Sequence, residues 1–316
     1  MPKPVLCFGE ILWDLFPDGP VLGGAPFNLA YRLAERGETV RMASRVGTDE
    51  LGVCALRQAR ELGVDVSLIQ TDPARPTGTV RIKLAGGEPD YMIVPDVAYD
   101  RIELTDSLAD AAADAVCLCF GTLAQRAEDS RRTLESLLYL QLGVLTFCDI
   151  NLRRDCYSAE TVSDSLLRAD ILKLNREETL LLSGMLFDEK YDPMDFGNAV
   201  LDQLNPKIVL ITLGEQGVLG LSEEAPPVYA PGYKVRVADT VGSGDAFSAG
   251  FLHRYLAGDS LARACDFGCR LGALAATQSG GTGGLTPQMI SELVDSAERL
   301  EDSRYSQYVE TEPGAE

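Results

Sequence analysis

The stretch Asp239-Thr240-Val241-Gly242-Ser243-Gly244-Asp245-Ala246-Phe247-Ser248-Ala249-Gly250 decides how the rest of the chain is read. Its two glycines, one residue apart, let the backbone turn tightly with no Cβ in the way of an approaching group. Phe247, Ala249, Phe251, Leu252, Tyr255 and Leu256 predict an apolar helix over roughly 242–256. The first N–H groups of a helix have no partner within it, and its dipole is positive there. Such a terminus suits a phosphate, or the charge on a phosphoryl group in transit. A carboxylate beside an anion site repels the anion unless it has a task. For Asp245 the fitting task is accepting a proton from a hydroxyl, with the helix N-terminus keeping the acid ionised. A plain turn with an acid near a helix start explains the same residues without chemistry.

The stretch is not a Walker loop, because Gly-Lys-Ser/Thr is missing. It resembles the C-terminal signature Asp-Thr-x-Gly-x-Gly-Asp of the ribokinase-like sugar kinases, the phosphofructokinase B-type family. In that family the last Asp is the catalytic base and the preceding amides form an anion hole. The resemblance therefore implies that Asp245 is the base, with Gly242, Ser243 and Gly244 lining the hole, and that the chemistry is phosphoryl transfer.

Bulk properties agree with a soluble enzyme. The chain has 316 residues, enough for one large core. Against 48 Asp and Glu stand 28 Lys and Arg, a formal charge of −20. That balance disfavours nucleic acid and anionic membranes as partners. A phosphate site must then be built locally, from backbone amides and a few cations. No window approaches 18 apolar residues, and Val5-Leu6-Cys7-Phe8 reads as a short strand rather than a secretory segment, so a cytoplasmic location is expected. Eight cysteines, at 7, 54, 117, 119, 148, 156, 265 and 269, form no Cys-x-x-Cys and read as reduced core residues. His253 is the single histidine, so general base work falls to another residue type.

The βα rhythm starts at Val5–Phe8. Ile11 to Phe16 follows, then a turn over 17–20. Asp14 reads either as a solvated loop acid or as a ligand near the end of a strand. Gly23-Gly24-Ala25-Pro26-Phe27-Asn28 is a second glycine turn, entering a helix that runs to about Glu35, with Pro26 near its first position. This stretch resembles the family's Gly-Gly-x-x-x-Asn signature in its fructokinase form, Gly-Gly-Ala-Pro-x-Asn. By that resemblance Asp14, Gly23, Gly24 and Asn28 bind sugar hydroxyls. Val40–Gly47 is a strand, 49–62 an amphipathic helix, and 64–69 another short strand. Between 71 and 100 the rhythm breaks: Thr79–Leu84 and Tyr91–Val94 are β-runs joined at Gly86-Gly87-Glu88-Pro89. With 11–22 they are expected to form a small sheet, which in the family is the lid over the sugar. Arg81 and Tyr91 are its candidate sugar contacts, and a plain structural role is open for both.

From 115 alternation resumes, arguing for a parallel sheet with helices on both faces. Strands are expected at 116–120, 144–148, 171–174 and 208–213, and helices at 128–142, 260–277 and 287–300. After Cys148, the polar positions Asp149, Asn151 and Arg153 alternate with Ile150 and Leu152, so all three can share one side. Arg153 is a phosphate clamp or a surface arginine on composition alone. The family has Asp-x-Asn-x-Arg at its active site, which makes Asn151 and Arg153 substrate contacts. Asn175-Arg176-Glu177-Glu178 reads as a capped helix start and matches the family's Asn-x-x-Glu motif, which organises Mg²⁺ and nucleotide phosphates through waters. Thr212-Leu213-Gly214-Glu215-Gln216-Gly217 resembles its nucleotide loop, adding Thr212, Gly214 and Gly217. A hairpin over 218–221 and 228–237 leads back to the central motif. Asp239 and the Val241 carbonyl are a candidate potassium site, and Cys269 stands where the family often has Asn. Tyr305 onward reads as a disordered acidic tail.

The expected fold is a three-layer α/β/α sandwich, ribokinase-like, with core segments 1–10, 23–70 and 100–304 and a β lid from 11–22 and 71–99. The expected activity is ATP-dependent phosphorylation of a sugar, fructose first, with Mg²⁺ as cofactor and a homodimer through the lid. The alternatives are 2-keto-3-deoxygluconate, ribose or a nucleoside as substrate, or a sugar-binding protein without catalysis. A dinucleotide oxidoreductase is disfavoured because Gly9-Glu10-Ile11, not Gly-x-Gly-x-x-Gly, follows the first strand.

Overall fold

The computed structural model describes residues 3–17, 19–85, 88–140, 143–187 and 189–310, with the backbone alone for 82–85 and 88–91. The chain divides into two compact units, Met1–Thr146 with Leu152–Thr161, and Phe147–Asn151 with Val162–Glu316.

The first unit begins with β1 (Val5–Phe8), β2 (Leu12–Phe16), β3 (Gly19–Gly23), α1 (Ala25–Glu35), β4 (Val40–Gly47) and α2 (Glu50–Glu61). It continues with β5 (Ile69–Asp72), β6 (Gly78–Ala85), β7 (Glu88–Ile93), α3 (Asp106–Ala113), β8 (Cys117–Phe120) and α4 (Glu128–Leu140). Four strands lie in the order β8-β1-β4-β5, each pair parallel. β1 and β8 are fully buried apolar runs, as a parallel sheet covered on both faces requires. A separate sheet has the order β3-β2-β6-β7. It joins 12–23 to the hairpin after 78, as expected, through the parallel pair β2–β6. The hairpin strands extend to Ala85 and from Glu88, so Glu88 and Pro89 belong to β7, while Gly86 and Gly87 lie outside the described residues. Past β7, the Arg126 guanidinium bonds Asp100 at 2.8 and 3.0 Å and the Val94 carbonyl at 2.8 Å, and stacks on the Tyr99 ring. This half-buried fork anchors the chain where it leaves the small sheet.

The second unit takes β9 (Leu145–Asp149) from Phe147 and α5 (Ala159–Leu167) from Val162, and goes on through β10 (Ile171–Asn175), α6 (Arg176–Leu186), α7 (Pro193–Leu204) and β11 (Ile208–Thr212). Then come β12 (Val218–Leu221), β13 (Val228–Ala230), β14 (Gly232–Tyr233), α8 (Ser243–Leu256), α9 (Leu261–Ala275), α10 (Pro287–Ser296) and β15 (Arg299–Leu300). The order is β13-β12-β11-β10-β9, parallel from β9 to β11 and antiparallel beyond. α8 crosses α9 closely: a Cβ on Gly250 would stand 3.0 Å from the Cα of Gly268. Phe247, Phe251 and Tyr255 stack along one side of α8.

Several boundaries differ from the expectation. The strand expected at 64–69 is β5, which starts only at Ile69, because the Asp65 carboxylate takes the Ser67 N–H and holds a turn there. The hairpin arm expected over 228–237 ends at Ala230. Beyond Pro231 the chain pairs instead with Arg299–Leu300, so the last helix stops at Ser296 rather than Leu300. Tyr305, expected in a disordered tail, is buried against Tyr229, and a 3-10 turn follows at Ser306–Tyr308. Residues 311–316 lie outside the described residues. Six cysteines are buried, with Cys54 and Cys156 half-buried, and all eight are free thiols. Burial pushes the Cys119, Cys148 and Cys265 thiols well up, which keeps them protonated and inert.

Candidate active site

In the first unit the glycine turn before α1 is held from β1. Gly24 is the N-cap, with φ 110°, and a Cβ there would meet the Glu10 carbonyl oxygen at 2.5 Å. Glycine is required on both counts. It brings no capping side chain, and the buried Glu10 carboxylate takes that place: its Oε1 accepts the Ala25 N–H at 3.2 Å. Asn28 lies one turn into α1 and is buried. Asp14 is half-buried on β2, and a Cβ on Gly23 would stand 2.9 Å from its Oδ2. Asp14 and Gly23 are thus neighbours, as Gly24 and Asn28 are. Arg81 does not join them. It is exposed, and the register sets it opposite Leu15, while Val80 lies opposite Asp14. Tyr91 pairs with Ile82, and its side chain lies outside the described residues. Arg153 is exposed in the segment that follows β9.

In the second unit the central motif caps α8 as the glycines demand. Gly242 is the N-cap with φ 74°, and α8 starts at Ser243. The loop before it is tied to the glycine loop after α9. Asp239 accepts the Val241 N–H with Oδ1 and the Gly280 N–H with Oδ2, both at 3.0 Å. The Ser243 hydroxyl donates to the Gly272 carbonyl at 2.8 Å. One expected anion-hole donor is already engaged: the Ser243 N–H bonds the Thr240 carbonyl at 3.2 Å in a turn. Asp245, 9% exposed, sits in the first turn of α8.

Asn175 and Glu178 form a reciprocal capping box at the head of α6, each bond 2.8 Å. Thr212, at the end of β11, donates to the Leu174 carbonyl at 3.2 Å. Gly214 opens a 3-10 turn closed by the Leu213 N–H on the Gly217 carbonyl at 2.7 Å. The alternation expected for Asp149, Asn151 and Arg153 fails, because β9 ends at Asp149 and Asn151 turns left-handed at φ 41°. Asp149 is instead buried and paired with Lys173 at 2.9 and 3.1 Å.

Two residues were not among the sequence candidates. Glu10 had a signal in its place directly after the first strand. Lys173 had a stronger one: a lysine inside Ile171-Leu172-Lys173-Leu174, an apolar run buried on both faces. Burial pulls the Lys173 ammonium down, but Asp149, then Glu178 and Asp245, outweigh it and hold it above the ordinary lysine value. The head of α8 therefore has a buried carboxylate in its first turn and a charged ammonium behind it.

Relatives carry the same architecture. Residues 20–288 match the pfkB family of carbohydrate kinases. The chain is 31% identical over 301 residues to a fructokinase of Escherichia coli, covering 89% of this chain and 95% of that one. The structure of a Xylella fastidiosa fructokinase with bound ATP superposes with a TM-score of 0.82 at 23% identity, over 93% of this chain and 99% of that one. A Vibrio cholerae fructokinase in its fructose, ADP and calcium ion bound form gives 0.79 at 24% identity, over 92% and 98%. No helix among the described residues is long and apolar enough to cross a membrane. With a mostly parallel sheet, flanking helices and a separate small sheet, the chain has the ribokinase-like α/β fold and belongs to the pfkB family of carbohydrate kinases, phosphotransferases that use ATP to phosphorylate a sugar hydroxyl.

Proposed function

We propose that this kinase phosphorylates fructose to fructose 6-phosphate with Mg-ATP. The observation that carries the phosphoryl-transfer part is the buried Asp245 carboxylate at the head of α8, directly after a left-handed Gly242. The fructose assignment is supported by the fructokinase relatives and by Gly-Gly-Ala-Pro-x-Asn at the start of α1.

The residues fit the nucleotide and its metal. The turn at Gly242 has no side chain of its own in the path of a phosphate, and among the described residues outside α8 itself the atom that a Cβ placed on Gly244 would meet is the Lys173 Nζ, at 3.1 Å. Asn175, Glu178, Thr212 and the turn from Gly214 to Gly217 take the remaining phosphate side. Among the described residues no cluster of three His, Cys, Asp or Glu could hold a metal alone. Mg²⁺ keeps most of its waters and takes few protein ligands, and Glu178 would hold it here through water. Bound Mg-ATP supplies the phosphoryl group. Asp245 takes the proton from the sugar hydroxyl. The Gly242 and Gly244 amides stabilise the charge of the moving phosphoryl group, with the Ser243 amide joining if its turn bond yields. Asp14, Gly23, Gly24 and Asn28 hold the other sugar hydroxyls. Asn151 and Arg153 complete the substrate contacts on family resemblance. Positioning and fixed charge supply most of the rate enhancement.

A coupled ADP-release assay with Mg-ATP tests this across fructose, 2-keto-3-deoxygluconate, ribose, tagatose, adenosine and fructose 6-phosphate. Turnover confined to fructose is the expected result. Turnover with another member keeps the mechanism and moves the substrate. Silence throughout favours a sugar-binding protein. Running the panel in sodium and in potassium tests the cation site at Asp239 and Val241, and equal rates would remove it. The proposed homodimer through the β3-β2-β6-β7 sheet predicts a doubled mass in light scattering.

A further inference from the structure

Lys173 is 5% exposed and Asp149 8%, and they face each other across β10 and β9. The ammonium reaches both carboxylate oxygens, at 3.1 and 2.9 Å. The Ser248 hydroxyl lies 3.3 Å from Asp149 Oδ2 and 3.0 Å from the Gly244 carbonyl, so the pair is linked to the first turn of α8. Burying an ion pair costs desolvation of both ions, and replacing such a pair by apolar residues is often neutral for stability. Stability alone is therefore a weak reason to keep it.

Its orientation supplies a better one. A Cβ built on Gly244 would stand 3.1 Å from the Lys173 Nζ, with no Asp149 atom within 4 Å. The pair is a dipole whose positive end faces the Gly-x-Gly-Asp turn. In a protein of net charge −20, a fixed cation at that point answers how a phosphoryl site is built locally. Field from a buried, preorganised charge is much less screened than from a surface lysine.

We propose that Lys173 is a positioning residue for phosphoryl transfer, its ammonium held by Asp149 behind Gly244 so that fixed positive charge backs the anion-binding turn. The proposal rests on the reading of that turn as the phosphoryl site. Asp149 from β9 bonds the ammonium, and the charges of Glu178 from α6 and Asp245 from α8 also act on it. Asp149 holds it in place.

The test uses K173M, K173R and the double variant D149N/K173M, read by thermal melting, by calorimetric titration with MgATP and MgADP, and by steady-state kinetics. K173M strands the Asp149 charge, so it melts earlier as well as working poorly. The double variant removes both charges. It is expected to regain most of the melting temperature while kcat stays roughly 10- to 100-fold low, less than the loss for a donor that touches the phosphoryl group. Its sugar KM stays near wild type, and its preference for MgATP over MgADP narrows. K173R recovers part of kcat. A double variant with wild-type kcat and wild-type nucleotide preference would make the pair structural and overturn the proposal. Wild-type protein that binds neither nucleotide would instead sink the reading of the turn, and this inference with it.

Discussion

A Cβ on Gly242 would stand 2.7 Å from the Cα of Gly281, 39 residues further along the chain. The turn that caps α8 and the loop after α9 are thus packed backbone to backbone, and Asp239 fastens the same two loops with a hydrogen bond to Gly280. The left-handed φ of 74° adds a second bar to any side chain at Gly242. We therefore expect Gly242→Ala to lose at least about 1 kcal/mol of stability from backbone strain alone. Its kcat falls further than its melting temperature suggests, because the amides at the turn move. Denaturant unfolding and steady-state kinetics on one preparation check both. Wild-type kcat in this variant would show that the turn tolerates displacement.

Asp245→Asn keeps nearly the same shape and removes the proposed proton acceptor. The expected outcome is a kcat lowered by roughly 10²- to 10⁴-fold with a melting curve close to wild type. Near-normal turnover would take Asp245 out of the base role.

Glu10 caps a helix that has glycine at its N-cap. In Glu10→Ala the Ala25 N–H loses its acceptor, and stability is expected to drop by about 1 kcal/mol. The larger effect is expected in the sugar KM, since the same turn carries Gly24 and Asn28, while the KM for ATP changes little. An equal rise in both would argue against a sugar-side role for the α1 turn.

Tyr233 links α9 to β15: its hydroxyl donates to Asp266 at 3.0 Å and accepts from Arg270 and Arg299 at 3.1 and 2.7 Å. Burial, then the Asp266 charge, push the phenol up to about 12 against the pull of the two arginines. A raised value in the folded state means that this contribution to stability is fully present below the unfolded tyrosine value of about 10 and is lost as pH rises toward and through about 12. Tyr233→Phe should flatten that part of the alkaline stability curve. Unfolding midpoints of both proteins between pH 9 and 12 measure it, and parallel curves would assign the alkaline loss to other groups.

The parts of the fold legible in the chain are those set by neighbours in sequence. Gly242 and Gly244 ahead of an apolar run announced α8 to within one residue, and Pro26 after Gly24 did the same for α1. The break in βα rhythm between 71 and 100 marked the small sheet, because a hairpin needs only local alternation and a turn. The motif residues at 175–178, 212–217 and 239–245 fell at element ends. What went astray depended on distant partners. β14 is a strand only because Arg299 and Leu300 return to pair with it, and Arg81 proved exposed and off the Asp14 position once the register of β2 on β6 was known.

By itself, then, the amino-acid order determined the α/β alternation, the glycine-capped helix starts and an acid in the first turn of α8, since these follow from turn conformation, hydrophobic period and charge within a few residues. Only the tertiary structure decided that Glu10 serves as the missing cap of α1 and that Asp149, read as a partner of Asn151 and Arg153, is spent on Lys173. It also decided that this lysine's charge stands behind Gly244 rather than in solvent. The physical reason is that a buried charge takes its meaning from what lies across the sheet from it, and cross-strand register is fixed by packing between segments far apart in the chain.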